Sequence, residues 1–318
     1  MAEKVTAIVL AAGKGSRMNS DVPKQYLTLL GKPVLFYSLK AFEDSNADEI
    51  ILVTGGGEQE YCQKEIIEKY QLKKVVHIIE GGRERYHSVH RGLSVAKDAA
   101  YVLIHDGARP LVSSAVINNA INKVKETGAC VVGMLVKDTI QYVNAEGMIS
   151  FTPDRNYTWL AQTPQCFAYE LAFSSYNKAM EHNDNTITDD AMVIRRYGNA
   201  DVTMIRGGYE NIKVTTPEDI AVAEMATANI ESIHQQTGEE GFTLESVLTD
   251  TKSEDAMLEK IALDQAISSL SDRETMVIRL RYFHGLTQQQ TAKVLQVSQV
   301  QVSRIEKKAL THLKSILS

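Results

Sequence analysis

A glycine-containing segment near the N-terminus has the residue types that bind phosphate groups. Residues 13–17 read Gly-Lys-Gly-Ser-Arg and follow an apolar run, residues 6–10, that predicts a buried strand. The glycines allow a sharp turn that presents backbone N–H groups, and Lys14, Arg17 and the nearby Lys24 add three cations around it. The spacing fits neither the P-loop nor the dinucleotide-binding fingerprint. We therefore expect a polyphosphate site; the alternative is an ordinary strand-to-helix turn with solvated basic residues.

Asp106 and Lys213 extend this expected site. Asp106 lies at the end of a predicted strand and offers the hard oxygen ligand that Mg²⁺ prefers, although an aspartate before Gly107 can also simply form a turn. Lys213 lies in an extended apolar segment, where a cation without an anionic partner would be costly, so we expect it to meet an anion. Displacement at phosphorus needs this combination: cations along a polyphosphate and a carboxylate for the metal.

The composition predicts a soluble protein of the cytoplasm. The 318 residues carry a formal net charge of −6, with 23% charged and 44% hydrophobic residues, and are enough for two domains. Cys62, Cys130 and Cys166 are too few and too scattered for a disulfide framework or a zinc site, which favours a reducing compartment. We expect neither a signal peptide nor a membrane span, because no apolar run reaches about 18 residues.

Short apolar segments alternate with helical ones along residues 1–136. Strands are predicted at 49–54, 75–79, 101–105 and 130–136. This alternation predicts an α/β fold of the Rossmann-like kind, in which β-α-β units form a mostly parallel sheet flanked by helices. Ligands of such sheets bind at the carboxyl ends of the strands. Residues 13–17, 81–88 and 106–110 are all expected there, so one pocket should collect them.

A projecting β-hairpin follows this alternation. Residues 139–143 and 148–152 predict two strands around a four-residue turn at 144–147. An isolated two-stranded ribbon is only marginally stable in water, so we expect this hairpin arm (residues 138–154) to pack on a second copy of the chain in a homodimer. The alternative is that the arm folds back on its own domain. A helix that begins at Pro217 closes the predicted first domain, residues 1–230.

Seven motifs occur in one order over residues 4–230. They are Ala-Ala-Gly-x-Gly-x-Arg-Met at 11–18, Pro-Lys-Gln-Tyr at 23–26, Gly81-Gly82 with Arg85, Ser88 and Val89, His-Asp-Gly-Ala-Arg-Pro at 105–110, Asp154-Arg155, Gln-Thr-Pro-Gln at 162–165 and Asn-Ile-Lys-Val-Thr-x-Pro-Glu-Asp at 211–219. Together they resemble the 2-C-methyl-D-erythritol 4-phosphate cytidylyltransferases of the non-mevalonate isoprenoid pathway. One motif alone would be a weak indication, whereas seven in register are specific.

The resemblance implies a reaction and a role for each matching residue. The substrate phosphate would attack the α-phosphorus of CTP in line and release pyrophosphate, without a covalent enzyme intermediate. Arg17 and Lys24 would hold the triphosphate. Lys24 and Lys213 would neutralise charge at the α-phosphate in the transition state, and Asp106 would bind Mg²⁺. The other implied contacts are with the nucleotide, by Ala11, Ala12, Gly13, Gly82 and Ser88, and with the methylerythritol phosphate, by Arg109, Thr139, Arg155 and Thr163.

In this family the hairpin arm crosses to the other subunit. Thr139 and Arg155 would therefore complete the partner's site. This implication agrees with the expectation that the arm is stabilised by a second copy of the chain.

The charge pattern changes after residue 230. Residues 231–255 hold seven acidic residues against Lys252 alone and predict an acidic linker. Residues 256–318 hold nine basic residues against five acidic ones, and a small basic domain on an acidic chain points toward nucleic acid.

Residues 256–318 predict a small all-α domain with a helix-turn-helix. Thr287 can cap a helix over 288–295 and Ser298 a second helix over 299–313, which would enter the DNA major groove. The expected DNA contacts are Gln299, Gln301, Ser303, Arg304 and Lys307, with Lys308 near phosphates. Residues 270–274 (Leu-Ser-Asp-Arg-Glu), 280–283 (Leu-Arg-Tyr-Phe), 285–288 (Gly-Leu-Thr-Gln) and 297–308 resemble region 4 of sigma-70-type factors, which implies contact with promoter DNA or RNA polymerase. The alternative is a helical docking or dimerisation module with a solvated basic face.

Two alternative functions remain open at this level. The ribitol 5-phosphate cytidylyltransferases share much of the same motif frame, although the forms at 105–109 and 154–155 favour the methylerythritol enzyme. The chain could instead be a DNA-binding regulator whose enzyme-like part only senses CTP or a polyol phosphate. The presence of Lys24, Asp106 and Lys213 favours catalysis, because sensing does not need all three.

Overall fold

The chain divides into two units in the computed structural model. They are Met1–Glu224 (the first unit) and Met225–Ser318 (the second unit). The structure describes residues 3–13, 22–182, 184, 186–234, 270–283, 287–295 and 297–317. The predicted domain limits at 230 and 255 stay predictions. Residue 230 lies within a helix, Pro217–His234, and residues 235–269, which hold most of the predicted linker, lie outside the described ones.

The first unit is built on a mostly parallel sheet. The strands of this unit are β1 Val5–Ala11, β2 Thr28–Leu29, β3 Lys32–Pro33, β4 Glu49–Thr54, β5 Val75–Glu80, β6 Tyr101–Asp106, β7 Ala129–Leu135, β8 Tyr142–Val143, β9 Ile149–Phe151, β10 Trp159–Ala168 and β11 Thr203–Arg206. In the described part of the chain, a seven-stranded sheet has the order β11-β7-β10-β6-β1-β4-β5. β1 pairs in parallel with β4 and β6, as β4 does with β5 and β11 with β7. The predicted α/β fold is confirmed.

Helices cover both faces of this sheet. The helices of this unit are α1 Val34–Glu43, α2 Gln59–Tyr61 (continued by a π-helix, Cys62–Glu68), α3 Arg85–Val95, α4 Ser114–Thr127, α5 Tyr169–His182 and α6 Asp190–Val193 (continued by a π-helix, Ile194–Gly198). A further helix, α7 Pro217–His234, begins in the first unit and extends past its last residue, Glu224. Side chains of β1 alternate between two cores, with Val9 in one cluster and Ile8 in the other. Ser113 caps α4, since its Oγ accepts a hydrogen bond from Val116 N at 3.2 Å, which confirms the predicted N-cap.

No pattern in the sequence predicted β10. This strand lies antiparallel between β6 and β7, and its register shifts between Ala161 and Gln165. The shift falls on the polar motif at 162–165, which includes a proline, so the segment lacks the apolar run or the alternation that identified the other strands. Its position beside β6 brings Thr163 close to Asp106.

The hairpin arm has the predicted four-residue turn. Gly147 N donates to Asn144 O at 3.0 Å, and Asn144 N donates to Met148 O at 2.9 Å. The paired strands β8 and β9 are shorter than predicted, at two and three residues. The large apolar side chains of the arm are more than half exposed: Tyr142, Val143, Met148, Ile149 and Phe151.

The second unit contains the predicted helix-turn-helix. Its helices after α7 are α8 Asp272–Ile278 (continued by a π-helix, Arg279–Phe283), α9 Gln288–Leu295 and α10 Gln299–Leu317. Thr287 and Ser298 cap α9 and α10, because their hydroxyls accept from Gln290 N at 3.2 Å and Gln301 N at 3.3 Å. Val277, Ala292 and Val302 are buried together in one apolar cluster.

Candidate active site

A cavity of about 940 Å³ lies at the carboxyl ends of β1, β4, β5 and β6. It collects residues from the three segments that the sequence placed at this edge of the sheet. The predicted site residues in its lining are Ala11, Ala12, Gly13, Lys24, Gly82, Ser88, Asp106 and Lys213. Arg17 and Lys14 lie outside the described residues.

Cations converge on Asp106 in this cavity. Lys213 Nζ lies 2.9 Å from Asp106 Oδ2, and Arg85 Nε lies 3.3 Å from Oδ1. Arg109 Nε is 3.7 Å from Oδ2. Burial opposes ionisation of this carboxyl, but Arg85, Lys213 and Arg109 outweigh it and hold the pKa well below its ordinary value. Asp106 is therefore a carboxylate at neutral pH.

The segment that carries Lys213 is fixed against β6 and β10. Val214 N donates to Ala108 O at 2.8 Å. Arg109 Nη1 donates to Asn211 O at 2.8 Å, and Asn211 Nδ2 donates to Thr163 O at 2.9 Å. These bonds hold Lys213 beside Asp106, which is an anion of the kind that the sequence led us to expect.

Arg85 links Asp106 to a second buried carboxylate, and the sequence analysis assigned it no role. Its guanidinium donates two hydrogen bonds to Asp190, at 2.6 and 2.7 Å. Asp190 is fully buried and also accepts a hydrogen bond from Tyr176 Oη. Burial opposes the charge of Arg85, but Asp190 and Asp106 outweigh it and raise the pKa of Arg85 well above its ordinary value. No local spacing could have indicated a partner so distant in sequence.

Thr163 lies behind Asp106. Its Oγ1 accepts from Asp106 N at 3.2 Å and is 2.9 Å from His105 Nδ1. Burial lowers the pKa of His105 to about 3, so its ring is neutral at physiological pH. Four predicted contacts of the methylerythritol phosphate are absent from the cavity lining in the described part of the chain: Arg109, Thr163, Thr139 and Arg155. The last two are exposed, Thr139 in the arm and Arg155 immediately after it.

Small residues and backbone form another part of the cavity wall. A Cβ atom on Gly81 would lie 2.5 Å from Ala12 Cβ and 2.8 Å from Ser88 Oγ, so a larger residue cannot fit there without movement. Gly82 N donates to Ser88 Oγ at 3.0 Å. Such a wall lets a flat ligand approach the backbone closely.

The predicted DNA-contacting residues of α10 are all exposed: Gln299, Gln301, Ser303, Arg304 and Lys307. Gln301 also has a structural contact, since its Oε1 accepts from Ser298 N at 2.9 Å in the cap of α10. Lys308 Nζ lies 3.2 Å from Glu274 Oε1, which ties α10 to α8.

Residues 5–229 match the family model described as 2-C-methyl-D-erythritol 4-phosphate cytidylyltransferase. The chain belongs to this cytidylyltransferase family. Residues 266–315 match the model of sigma-70 region 4, so both resemblances found in the sequence are confirmed. No helix of the described residues is long and apolar enough to cross a membrane.

Individual cytidylyltransferases give the same result. The 2-C-methyl-D-erythritol 4-phosphate cytidylyltransferase of Lachnoclostridium phytofermentans is 50% identical over 222 residues, which is 70% of this chain and 95% of that protein. The one from Clostridium novyi is 44% identical and covers 72% of this chain and 99% of its own length. The crystal structure of 4-diphosphocytidyl-2C-methyl-D-erythritol synthase from Anaerococcus prevotii is similar with a TM-score of 0.63 and 31% identity, covering 71% of this chain and 96% of that one.

Proposed function

We propose that the first unit transfers CMP from CTP to 2-C-methyl-D-erythritol 4-phosphate, giving 4-diphosphocytidyl-2-C-methyl-D-erythritol and pyrophosphate. Family membership over residues 5–229 supports this activity. The catalytic assignment depends on one observation: the carboxylate of Asp106, which lines the cavity, contacts Lys213, Arg85 and Arg109. Three cations contact this carboxylate, of which Arg85 also pairs with Asp190, and such a cluster suits an anionic substrate.

Each group has a role in this reaction. Lys24 and Lys213 neutralise the charge that develops on the α-phosphate, and Lys24 also holds the triphosphate together with Arg17. An oxygen of the methylerythritol phosphate forms a bond to the α-phosphorus while the bond from that phosphorus to the bridging oxygen of the β-phosphate breaks. The enzyme contributes by positioning and by electrostatic stabilisation, as phosphoryl transfer requires.

The nucleotide binds against the wall of small residues. Ala11 ends β1, Ala12 and Gly13 follow it, and Gly82 and Ser88 also line the cavity. Their small size leaves space for the cytosine ring and the ribose. Arg109 and Thr163 both contact Asp106. With Thr139 and Arg155, they are the proposed contacts of the methylerythritol phosphate.

Mg²⁺ is the metal that we propose for this site. In the described part of the chain, no group of three or more His, Cys, Asp or Glu side chains could hold a metal ion alone. Asp106 nevertheless fits Mg²⁺, which commonly uses one or two carboxylates together with substrate phosphates and water. When bound, the ion would neutralise and orient phosphate oxygens of CTP.

We propose that the enzyme is a homodimer joined by the hairpin arm. The arm exposes five large apolar side chains, and its Thr139 is exposed and is not among the residues that line the cavity. Contact with a second copy would cover this apolar surface and bring Thr139 and Arg155 to the partner's site. The cytoplasmic location predicted from the cysteines stays a prediction.

We also propose that the second unit binds duplex DNA through α10. The match to sigma-70 region 4 and the exposure of Arg304 and Lys307 favour this role. Side chains early in a recognition helix reach base edges, and the later lysines meet phosphates.

Pyrophosphate release from CTP by the full-length chain tests the enzymatic proposal. 2-C-Methyl-D-erythritol 4-phosphate is supplied in one reaction and ribitol 5-phosphate in a parallel one. We expect turnover with the first substrate; efficient turnover with ribitol 5-phosphate alone would contradict the proposal.

A further inference from the structure

Lys24 lies in a very short helical element. The 3-10 helix Lys24–Tyr26 contains a single turn, in which Tyr26 N donates to Pro23 O at 2.9 Å and Leu27 N donates to Lys24 O at 3.4 Å. Its N-cap residue, Pro23, makes no side-chain capping bond. One turn has little stability of its own, so contacts made by its other side chains must fix its position.

Gln25 anchors this turn to the end of β1. Its side chain is 2% exposed, and its Nε2 donates to Ala11 O at 2.6 Å. Ala11 and Lys24 both line the cavity. This hydrogen bond is buried. Its loss would therefore cost stability, because the Ala11 carbonyl would lose the amide of Gln25 as a partner.

Tyr26 anchors the other end of the turn to the loop after β4. Its hydroxyl donates to Glu58 Oε2 at 2.7 Å, and the same carboxylate oxygen accepts from Gly55 N at 3.0 Å. The Tyr26 ring packs against Tyr61 with ring centroids 5.0 Å apart. Burial raises the pKa of Tyr26, and Cys62 and Glu58 raise it further. The phenol therefore keeps the proton that it donates.

We propose that Gln25 and Tyr26 are positioning residues. Together they fix Lys24 in the cavity, where it would contact the phosphates of the nucleotide. They tie the Lys24 turn to β1 and to the loop that follows β4. β1 and β4 are neighbouring parallel strands. The inference rests on the proposed function, in which Lys24 holds the triphosphate and stabilises the α-phosphate. Neither Gln25 nor Tyr26 needs to touch the reacting atoms for this role.

Conservative variants of the full-length chain test the proposal. Tyr26→Phe keeps the ring and removes the hydroxyl contacts with Glu58 and Cys62, and Gln25→Leu removes the bond to Ala11. We expect each to lower kcat roughly 10- to 100-fold, as displacement of a catalytic group by about 1 Å does, with KM for the methylerythritol phosphate changed less than about twofold. Tyr169→Phe is the matched control, because it removes another buried tyrosine hydrogen bond, to Leu93 O.

A double-mutant cycle distinguishes positioning from a general structural role. In a Lys24→Ala background, Tyr26→Phe should change kcat/KM less than about twofold, because its effect acts through Lys24. The same cycle is measured on CTP binding by calorimetry, which does not require turnover. Equal losses in both backgrounds, or a Tyr26→Phe variant with the kcat of the wild type, would overturn the proposal.

Failure of the proposed function gives a different result. A wild-type chain that releases no pyrophosphate contradicts the enzymatic assignment. The calorimetric cycle still tests whether Tyr26 acts through Lys24, since CTP binding is measured without the second substrate.

Discussion

Lys213 and Asp106 form an ion pair, with Nζ 2.9 Å from Oδ2. The pair joins the segment before α7 to the end of β6, and a backbone hydrogen bond from Val214 N to Ala108 O holds the two together. A lysine held against the proposed metal ligand is already beside the place where the α-phosphate would bind. The ion pair therefore gives the catalytic account its most specific geometric support.

Lys213→Ala should lower kcat about 10²- to 10³-fold, because it removes a charge that is needed most in the transition state. KM for CTP should change much less. Steady-state pyrophosphate release measures both values. Lys64→Ala is the matched control, since Lys64 is exposed and pairs with Glu60 on the same helical segment. Wild-type kcat in the Lys213 variant would be inconsistent with its proposed role.

Asp190→Asn should destabilise the first unit by about 3 kcal/mol, because it removes the carboxylate that makes two short hydrogen bonds to the buried guanidinium of Arg85 and leaves Asp106 as its remaining counter-charge. Urea unfolding of the full-length chain measures this change. Asp44→Asn is the control: Asp44 forms an exposed ion pair with Lys40, and its loss should cost less than about 1 kcal/mol. Equal unfolding midpoints for the two variants would show that the buried pair contributes no more than the exposed one.

Tyr142→Asp combined with Phe151→Asp should convert the proposed dimer to a monomer. The two rings lie on paired strands of the arm, with centroids 5.8 Å apart, and both side chains are 59% exposed. Sedimentation velocity measures the association, and activity should fall with it because Thr139 and Arg155 no longer reach the partner. Val76→Asp alters an exposed apolar residue of β5 and should leave the dimer intact. A monomeric wild type would contradict the dimer proposal.

Lys307→Ala should weaken DNA binding and reduce the salt dependence of log K by about one unit of slope, as loss of one phosphate contact does. Arg304→Ala should reduce discrimination between promoter and unrelated DNA. Fluorescence anisotropy with the full-length chain measures both effects. Lys40→Ala removes the same charge from the first unit and should have no effect. If the wild type fails to bind duplex DNA even at low salt, the role of α10 in DNA binding is wrong.

Glu274 should make the second unit sensitive to acid. Hydrogen bonds from the Ser271 hydroxyl and backbone, together with Lys308, lower the pKa of Glu274 to about 2 from an ordinary value of 4.5. Because its folded pKa is depressed, Glu274 stabilises the fold above about pH 4.5, and this stabilisation is lost as the pH falls toward 2.

Hydrogen–deuterium exchange of α8 in the full-length chain checks this sign. At each pH the wild type is compared with Glu274→Gln, so intrinsic exchange rates cancel. The variant should exchange faster at about pH 6, and the difference should disappear in strong acid, where Glu274 is protonated. A difference that is independent of pH would contradict the assignment to the carboxylate.

Local patterns were sufficient for much of the fold. The apolar run that became β1 and the serine before α4 each specify their element within a few residues, and the structure confirms both. The strand β10 could not be found in this way, since the polar residues around Thr163 interrupt its pattern. Its place in the sheet depends on pairing with β6 and β7, which no short window of sequence contains.

The candidate site was predictable in its residue types but not in its internal contacts. Asp106 and Lys213 were selected because a carboxylate and a cation suit phosphoryl transfer, and the structure brings them together. Arg85 gave no such signal, because its ion pair with Asp190 exists only after α3 and α6 have folded around the sheet. Gln25 was likewise overlooked, since its hydrogen bond to Ala11 depends on tertiary structure.

Pyrophosphate release and product mass provide the most direct test of the central claim. Full-length wild type and Asp106→Asn are each given CTP, Mg²⁺ and 2-C-methyl-D-erythritol 4-phosphate. The wild type should release pyrophosphate and form 4-diphosphocytidyl-2-C-methyl-D-erythritol, while Asp106→Asn should be at least about 10²-fold slower. If the wild type binds CTP without turnover, or if both proteins turn over equally, the cavity around Asp106 is not a cytidylyltransferase active site.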